Sequence, residues 1–237
     1  MNLTGHSVLV TGGASGIGLA IAVRFLRAGS RVVVCGRRQS KLDEASVRHP
    51  ELITRVADVA TAPGRCELVE WIQREHPAFD VLVNNAGVQR RHRFAADDAA
   101  WAERAAEIAI NFEAPAHLCS LVLEHFKTRS EPAIVNVTSG LAFVPAIFAP
   151  VYAATKAGLH SRTMSLRAEY APPALNTGLG GEGIHADGAP VDDFADSVMA
   201  RVAAGEVEVG YESSESGRQA SRAEIDARFA RLVDVHP

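Results

Sequence analysis

The 237-residue sequence is poor in cysteine and lacks a recognisable metal-binding motif. Its three cysteines, Cys35, Cys66 and Cys119, lie far apart and form no CxxC pair, which argues against a disulfide framework and a thiolate metal site. The nine histidines include no HExxH motif and no paired ligands at a useful spacing, so no metal is expected. The thiol pattern predicts a reducing compartment and therefore a cytoplasmic location.

The sequence also has little net charge. Its 24 basic and 28 acidic residues give a formal charge of −4, which provides no overall field to attract nucleic acid or an anionic membrane. The first ten residues lack the basic leader of a signal peptide. One uncharged stretch, residues 132–155, is long enough to cross a membrane, but its prolines, Asn136 and hydroxyl side chains are incompatible with a spanning helix.

Length and hydrophobic pattern predict one α/β domain over residues 1–237. A chain of 25.2 kDa with 47% hydrophobic residues can build one sizeable core. Short Val/Ile/Leu runs alternate with helical patterns from SVLVT at Ser7 onward, and such runs are typical of strands buried on both faces. The pattern predicts a doubly wound, Rossmann-like parallel sheet.

A glycine-rich motif, TGGASGIG, follows the first predicted strand and opens an amphipathic helix. Gly12, Gly16 and Gly18 would let the backbone approach a pyrophosphate at the helix N-terminus. Roughly 20 residues further on, an NAD-binding chain would place an acidic residue, but Arg37 and Arg38 stand there instead. They favour NADP(H) over NAD(H), with a solvated surface pair as the alternative.

Two further segments follow predicted strands at the same edge of the sheet. Asp58 could accept a hydrogen bond from an adenine amino group or, equally well, cap the next helix. The sequence NNAG at residues 84–87 could form the floor of a cofactor site or a simple turn, and its position after a buried strand favours the floor.

Tyr152 and Lys156 are four residues apart, so a helix would place them on one face. A nearby ammonium favours the phenolate and moves a phenol with an ordinary pKa near 10 toward neutral pH. The pair therefore predicts proton transfer by Tyr152, with a surface ion pair as the alternative reading.

Taken together, TGGASGIG, NNAG, Asn111, Ser139, Tyr152 and Lys156 resemble the short-chain dehydrogenase/reductase family over about residues 5–177. The tail, from Pro172 onward, is also similar to a bacterial oxidoreductase subgroup found near D-alanine ligation genes. The resemblance implies that Tyr152 is the general acid/base, that Lys156 assists it, that Ser139 steadies a substrate carbonyl and that Asn111 anchors a proton-relay water. The cofactor-binding residues it implies, with those argued above, are Gly12, Ser15, Gly16, Ile17, Gly18, Arg37, Arg38, Asp58, Val59, Asn85, Ala86, Gly87, Tyr152, Lys156, Pro172, Leu175 and Thr177.

One part of the chain departs from the family pattern. Only 16 positions separate Lys156 from Pro172, which is too short for both a long helix and another strand ahead of the Pro172–Pro173 stop. One late strand is therefore expected to be missing. This leaves an alternative to an oxidoreductase of carbonyl compounds and secondary alcohols: a cofactor-binding regulatory or scaffold relative without activity. A nucleotide-sugar epimerase would need a substrate domain for which the chain leaves little room.

Three expectations concern partners and substrate. The helices around residues 101–126 and 151–159 carry apolar positions. The family resemblance implies that such helices pair across a two-fold axis, so a homodimer or homotetramer is expected, although the same side chains could pack on the sheet. The basic loop at residues 89–93 could favour an acidic small-molecule substrate, or it could be solvated. The apolar run at residues 141–151 opposes that reading by predicting a hydrophobic pocket wall.

Overall fold

The computed structural model describes residues 1–93, 97–169, 174–178 and 190–235. The strands are β1 Ser7–Thr11, β2 Arg31–Gly36, β3 Ile53–Val56, β4 Val81–Asn84, β5 Ala133–Val137, β6 Ala174–Gly178 and β7 Glu208–Gly210. The helices are α1 Gly16–Arg27, α2 Gln39–Arg48, α3 Ala62–Glu75, α4 Trp101–Ile108, α5 Ala114–Phe126, α6 Pro150–Glu169, α7 Val191–Ala203, α8 Ser213–Arg218 and α9 Arg222–Val235. A π-helical segment, Ala109–Glu113, joins α4 to α5, and a 3-10 turn, Gly140–Ala142, follows β5.

The strands form one parallel sheet in the order β3-β2-β1-β4-β5-β6-β7. Strand β1 shows why the sheet is covered on both faces: Val8 and Val10 belong to one buried apolar cluster and Leu9 to the other. Side chains alternate across a strand, so a run of large apolar residues needs a helix layer on each side. The predicted doubly wound α/β fold is confirmed.

The expectation of a missing late strand is wrong. Strand β6 lies between β5 and β7 and pairs with both. The sequence argument sought this strand ahead of the proline pair, where α6 occupies the chain to Glu169. The structure instead builds the strand from the residues that follow the prolines, so no neighbour in the sheet loses its partner.

Helices α5 and α6 bury most of the apolar positions that could have formed an interface. Leu118, Val122 and Phe126 of α5 belong to the cluster beneath one sheet face, as packing on the sheet requires, and Leu159 of α6 is also buried. Ile108, at the end of α4, remains exposed. No helix within the described ranges is both long and apolar enough to cross a membrane.

Candidate functional site

A cavity of about 610 Å³ opens at the carboxyl edge of the sheet, where ligands of open α/β sheets bind. It combines the loops that follow β1 to β5 with one face of α6. Its lining consists of Gly12, Ala14, Ser15, Ile17, Gly18, Cys35, Gly36, Arg37, Arg38, Lys41, Ala57, Asp58, Val59, Asn85, Ala86, Gly87, Val88, Gln89, Arg91, Ile110, Val137, Thr138, Tyr152 and Lys156.

The glycine-rich loop fits closely against the loop that follows β4. Gly12 has a φ of +63°, and a Cβ there would come within 2.9 Å of the Ala86 Cα. A Cβ on Gly18 would lie 2.3 Å from the Asn85 Nδ2. The Thr11 hydroxyl accepts hydrogen bonds from the backbone N–H groups of Asn85 and Ala86, at 3.0 and 3.1 Å. The glycines thus allow two loops to meet at the N-terminus of α1.

Helix α1 leaves donors available at that N-terminus. Ser15 is its N-cap residue, but the Ser15 side chain makes no capping hydrogen bond to the helix. Unpaired N–H groups in a first helical turn carry partial positive charge and bind anions such as phosphate. Ser15, Ile17 and Gly18 all line the cavity, as the sequence predicts for a pyrophosphate site.

The outer end of the cavity is basic. Arg37 and Arg38 are exposed lining residues that follow β2, and Lys41 joins them from α2. A Cβ built on Gly36 would meet no atom within 4 Å, so open space lies where an acidic side chain would stand in an NAD site. Lys41 was not predicted, although its position one helical turn after Arg37 is a signal that could have found it.

Asp58 and Val59 line the cavity after β3. The Asp58 Oδ1 accepts a hydrogen bond from the Ala60 N–H at 3.0 Å. The cap of α3 is Thr61 instead, whose hydroxyl accepts from the Gly64 N–H at 3.2 Å. Helix capping therefore does not account for Asp58, and the adenine contact stays a prediction.

Tyr152 and Lys156 lie on one face of α6 and both line the cavity. Each is almost fully buried, with 6% and 3% of the residue exposed. The Lys156 Nζ donates a hydrogen bond to the Val137 carbonyl at 2.8 Å and lies 5.7 Å from the centroid of the Tyr152 ring. Burial lowers the pKa of Lys156 to about 8.

The pKa of Tyr152 differs in direction from the sequence expectation. Burial raises it, a hydrogen bond with the Ser139 side chain lowers it, and the nearby Glu107 carboxylate raises it further. The Lys156 ammonium, which the sequence argument expected to lower this pKa, is itself desolvated and donates to the Val137 carbonyl. Ser139 is buried at the end of β5, and its Oγ also accepts from the Leu141 N–H at 3.2 Å.

Asn111 lies in the π-helical segment and holds the loop after β4. Its Nδ2 donates to the Val88 carbonyl at 2.8 Å, and its Oδ1 accepts from the Val88 N–H at 2.9 Å. The Nδ2 also lies 3.3 Å from the Thr155 hydroxyl of α6. π-Helical turns occur often at functional sites. The side chain of Asn111 therefore connects the cavity floor to the helix that carries Tyr152.

Two residues of the basic loop after β4, Arg90 and His92, contact Asp97, a partner that the sequence analysis did not consider. Arg90 and Arg104 lie 3.0 and 3.3 Å from its carboxylate oxygens, and His92 lies 3.4 Å away. The hydrogen bond from Arg90 holds the pKa of Asp97 at about 2. Arg91 is the loop cation that lines the cavity, and its guanidinium stacks on the Phe148 ring at 4.6 Å.

Three predicted cofactor-binding residues are not brought to this cavity by described contacts. Pro172 lies outside the described residues. The backbones of Leu175 and Thr177 lie in β6, in register with Val135 and Val137. The family resemblance implied that both residues bind the cofactor, and in the structure they belong to a strand.

Comparison with known proteins identifies relatives for almost the whole chain. The profile of the short chain dehydrogenase family matches residues 6–177. An uncharacterized oxidoreductase, DltE of Bacillus subtilis, is 38% identical over 247 residues, which cover 98% of each chain. A short-chain dehydrogenase structure from Streptomyces avermitilis has a TM-score of 0.80 at 21% identity and covers 97% of this chain and 96% of its own.

The L-sorbose reductase of Gluconobacter frateurii, solved with NADPH and L-sorbose, is a further structural relative. It has a TM-score of 0.70 at 28% identity over 75% of this chain and 70% of its own.

Proposed function

The chain belongs to the short-chain dehydrogenase family, and from that premise we propose that it is an NADP(H)-dependent oxidoreductase of a small carbonyl compound or secondary alcohol. The observation that carries the proposal is the single cavity that joins the glycine-rich loop, the Arg37–Arg38 pair and the Tyr152–Lys156 pair. One end of the cavity supplies hydrogen-bond donors that can bind an anion, and the other end supplies a buried proton donor.

The residues present fit NADP(H). Gly12 and Gly18 have no room for a side chain, and the N-terminus of α1 offers free donors for a pyrophosphate. The open space at Gly36, beside Arg37 and Arg38, suits a 2′-phosphate, which guanidinium groups bind through charge-assisted hydrogen bonds. A structural relative, the L-sorbose reductase, binds NADPH.

The chain's own residues supply the proton and hold the reacting oxygen. When bound, the nicotinamide supplies a hydride to the carbonyl carbon or takes one from the alcohol carbon. In the direction of reduction, the Tyr152 hydroxyl gives its proton to the carbonyl oxygen, while the Ser139 hydroxyl donates a hydrogen bond to the same oxygen. The product is the alcohol, formed by addition of one hydride and one proton.

Lys156 and Asn111 assist the proton transfer by Tyr152. With a pKa of about 8, the Lys156 ammonium can release and recover a proton near neutral pH. Asn111 holds the cavity floor against α6 through its hydrogen bonds to Val88 and Thr155, and the family resemblance implies that it anchors a relay water.

A fluorescence titration with NADPH and NADH tests the cofactor assignment. We expect tight binding with NADPH preferred. Replacing both Arg37 and Arg38 by alanine should weaken NADPH about tenfold or more, because charged hydrogen bonds to the phosphate are lost, and should change NADH much less. Equal weakening of the two cofactors would show that the arginines do not contact the phosphate.

We also propose a homodimer or homotetramer in the cytoplasm. Trp101, Ile108 and Met164 are exposed apolar side chains on α4 and α6, two helices that contact each other. Their joint burial against a second copy would remove this apolar surface from water. Sedimentation velocity at micromolar concentration should show a species above 25.2 kDa. The location rests on the cysteine pattern alone.

A further inference from the structure

Two side chains beside the cavity contain buried polar atoms that no described residue binds. Both amide atoms of Gln89, Oε1 and Nε2, have no hydrogen-bond partner, and neither does the Oε2 of Glu107. Gln89 lines the cavity, and Glu107 is 0% exposed. A buried donor or acceptor without a partner destabilises a folded protein, so each such group calls for an explanation, and a ligand that pairs with it is one.

The two side chains belong to one local arrangement. The Arg90 N–H donates to the Glu107 Oε1 at 2.9 Å, so the peptide unit that follows Gln89 rests directly on the carboxylate. Glu107 also lies one helical turn before Asn111 and near enough to influence Tyr152 electrostatically. The backbone beside Gln89 is therefore anchored to Glu107, while the side-chain amide lines the cavity without a partner.

Asp97 pairs with Arg90, His92 and Arg104, whereas Arg91 lines the cavity and keeps its positive charge although it is stacked on an aromatic ring. Hydrogen bonding, more than charge, therefore distinguishes a hydroxyl from a carboxylate at this wall. A carboxylate on the substrate could only accept hydrogen bonds. It would leave the amide oxygen of Gln89 unsatisfied and would be repelled by Glu107 whenever that group is ionised.

We propose that Gln89, held in position by Glu107, binds a hydroxyl group of the substrate, which makes the substrates hydroxylated carbonyl compounds and the diols that correspond to them. A hydroxyl satisfies both atoms of the amide, since it donates to Oε1 and accepts from Nε2. This inference rests on the proposed oxidoreductase function and names its substrate class.

Competitive binding measured by saturation-transfer NMR tests the inference without turnover. The probes are butanone, 1-hydroxybutan-2-one (hydroxybutanone below) and 2-oxobutanoate (oxobutanoate below), offered in pairs to the protein in the presence of NADP⁺; none of the three contains a secondary alcohol that NADP⁺ would oxidise. We expect hydroxybutanone to be preferred over butanone by about tenfold, as for a site that loses hydrogen bonds with the wrong ligand. Gln89→Leu should reduce this preference to near one.

Gln73→Leu is the matched control, because Gln73 lies on α3 outside the cavity lining. The preference of the Gln73→Leu variant for hydroxybutanone over butanone should equal that of the unmodified protein. A thermal melt of each variant shows that it is folded. The inference is overturned if the unmodified protein shows no preference for hydroxybutanone, if the preference survives Gln89→Leu, or if oxobutanoate binds better than hydroxybutanone.

Substitutions of Glu107 test its positioning role. Glu107→Gln keeps an acceptor for the Arg90 N–H and should keep the preference for hydroxybutanone over butanone, while rejecting oxobutanoate less strongly. Glu107→Leu removes the acceptor and should lose the preference, with KM for hydroxybutanone rising more than kcat falls. An unchanged preference in the leucine variant refutes the role.

Reduction of any ketone in the panel with NADPH tests the proposed function separately. The NMR competition reports the binding preference even if the enzyme reduces none of the ketones. Failure of the proposed function and failure of the hydroxyl subsite therefore give different results.

Discussion

Burial of Lys156 should make the stability of this protein depend on pH above neutrality. The ammonium has a folded-state pKa of about 8, against an ordinary value of 10.5. Between these values the unfolded chain binds more protons at this position than the folded chain does, so stability rises with pH in that window. From pH 8 to pH 10 the contribution of Lys156 to the free energy of unfolding should increase by about 2 kcal/mol, since each unit of pKa shift corresponds to about 1.4 kcal/mol.

The measurement is the difference in unfolding free energy between the unmodified protein and Lys156→Met, from urea titrations at pH 7, 8 and 10. The methionine removes the titrating group and the hydrogen bond to the Val137 carbonyl, which shifts stability by a constant amount at every pH. Other titrating groups cancel in the difference. The unfolding free energy of the unmodified protein should rise relative to that of the variant by about 2 kcal/mol between pH 8 and pH 10. For a chain of this size this corresponds to about 4–8 °C in melting temperature. A difference that stays constant over this range refutes the lowered pKa.

Three further substitutions test the site. Tyr152→Phe should reduce turnover by about 100-fold or more while changing cofactor affinity far less, because only the proton donor is lost. Retention of over a tenth of the rate would show that another group supplies the proton. Gly36→Asp should shift the preference measured by fluorescence toward NADH, because a carboxylate would enter the open space and repel the phosphate; an unchanged ratio places the phosphate elsewhere. Gly18→Ala should weaken NADPH binding and lower the urea midpoint, since its Cβ would lie 2.5 Å from the Gly12 carbonyl; a variant with unchanged binding and midpoint shows that the loops can separate.

The sequence predicted those features that depend on neighbours along the chain. The continuous apolar run in SVLVT indicates a strand covered on both faces, and the spacing of four between Tyr152 and Lys156 places them on one helical face. Strand β6 could not be predicted in this way, because its pairing with β5 and β7 depends on contacts distant in sequence.

The buried carboxylates illustrate the same limit. Asp97 and Glu107 look like ordinary surface acids in the sequence, because the residue types alone do not show that Arg90, His92 and Arg104 converge on the first. The unpartnered amide of Gln89 likewise became apparent only from the fold. A pattern gives the residue type, whereas the partner of a side chain depends on the fold.

The described lining of the cavity ends at Lys156 in chain order, well before β6, α7 and β7 begin. Every described wall of the cavity is therefore synthesised before the last third of the chain. The strands that border the cavity, β1 to β5, are all present at that stage, whereas the outer neighbour of β5 is not. The last third then completes the sheet and covers one of its faces, since α7 and β7 add their apolar side chains to the cluster that contains Val8 and Val10.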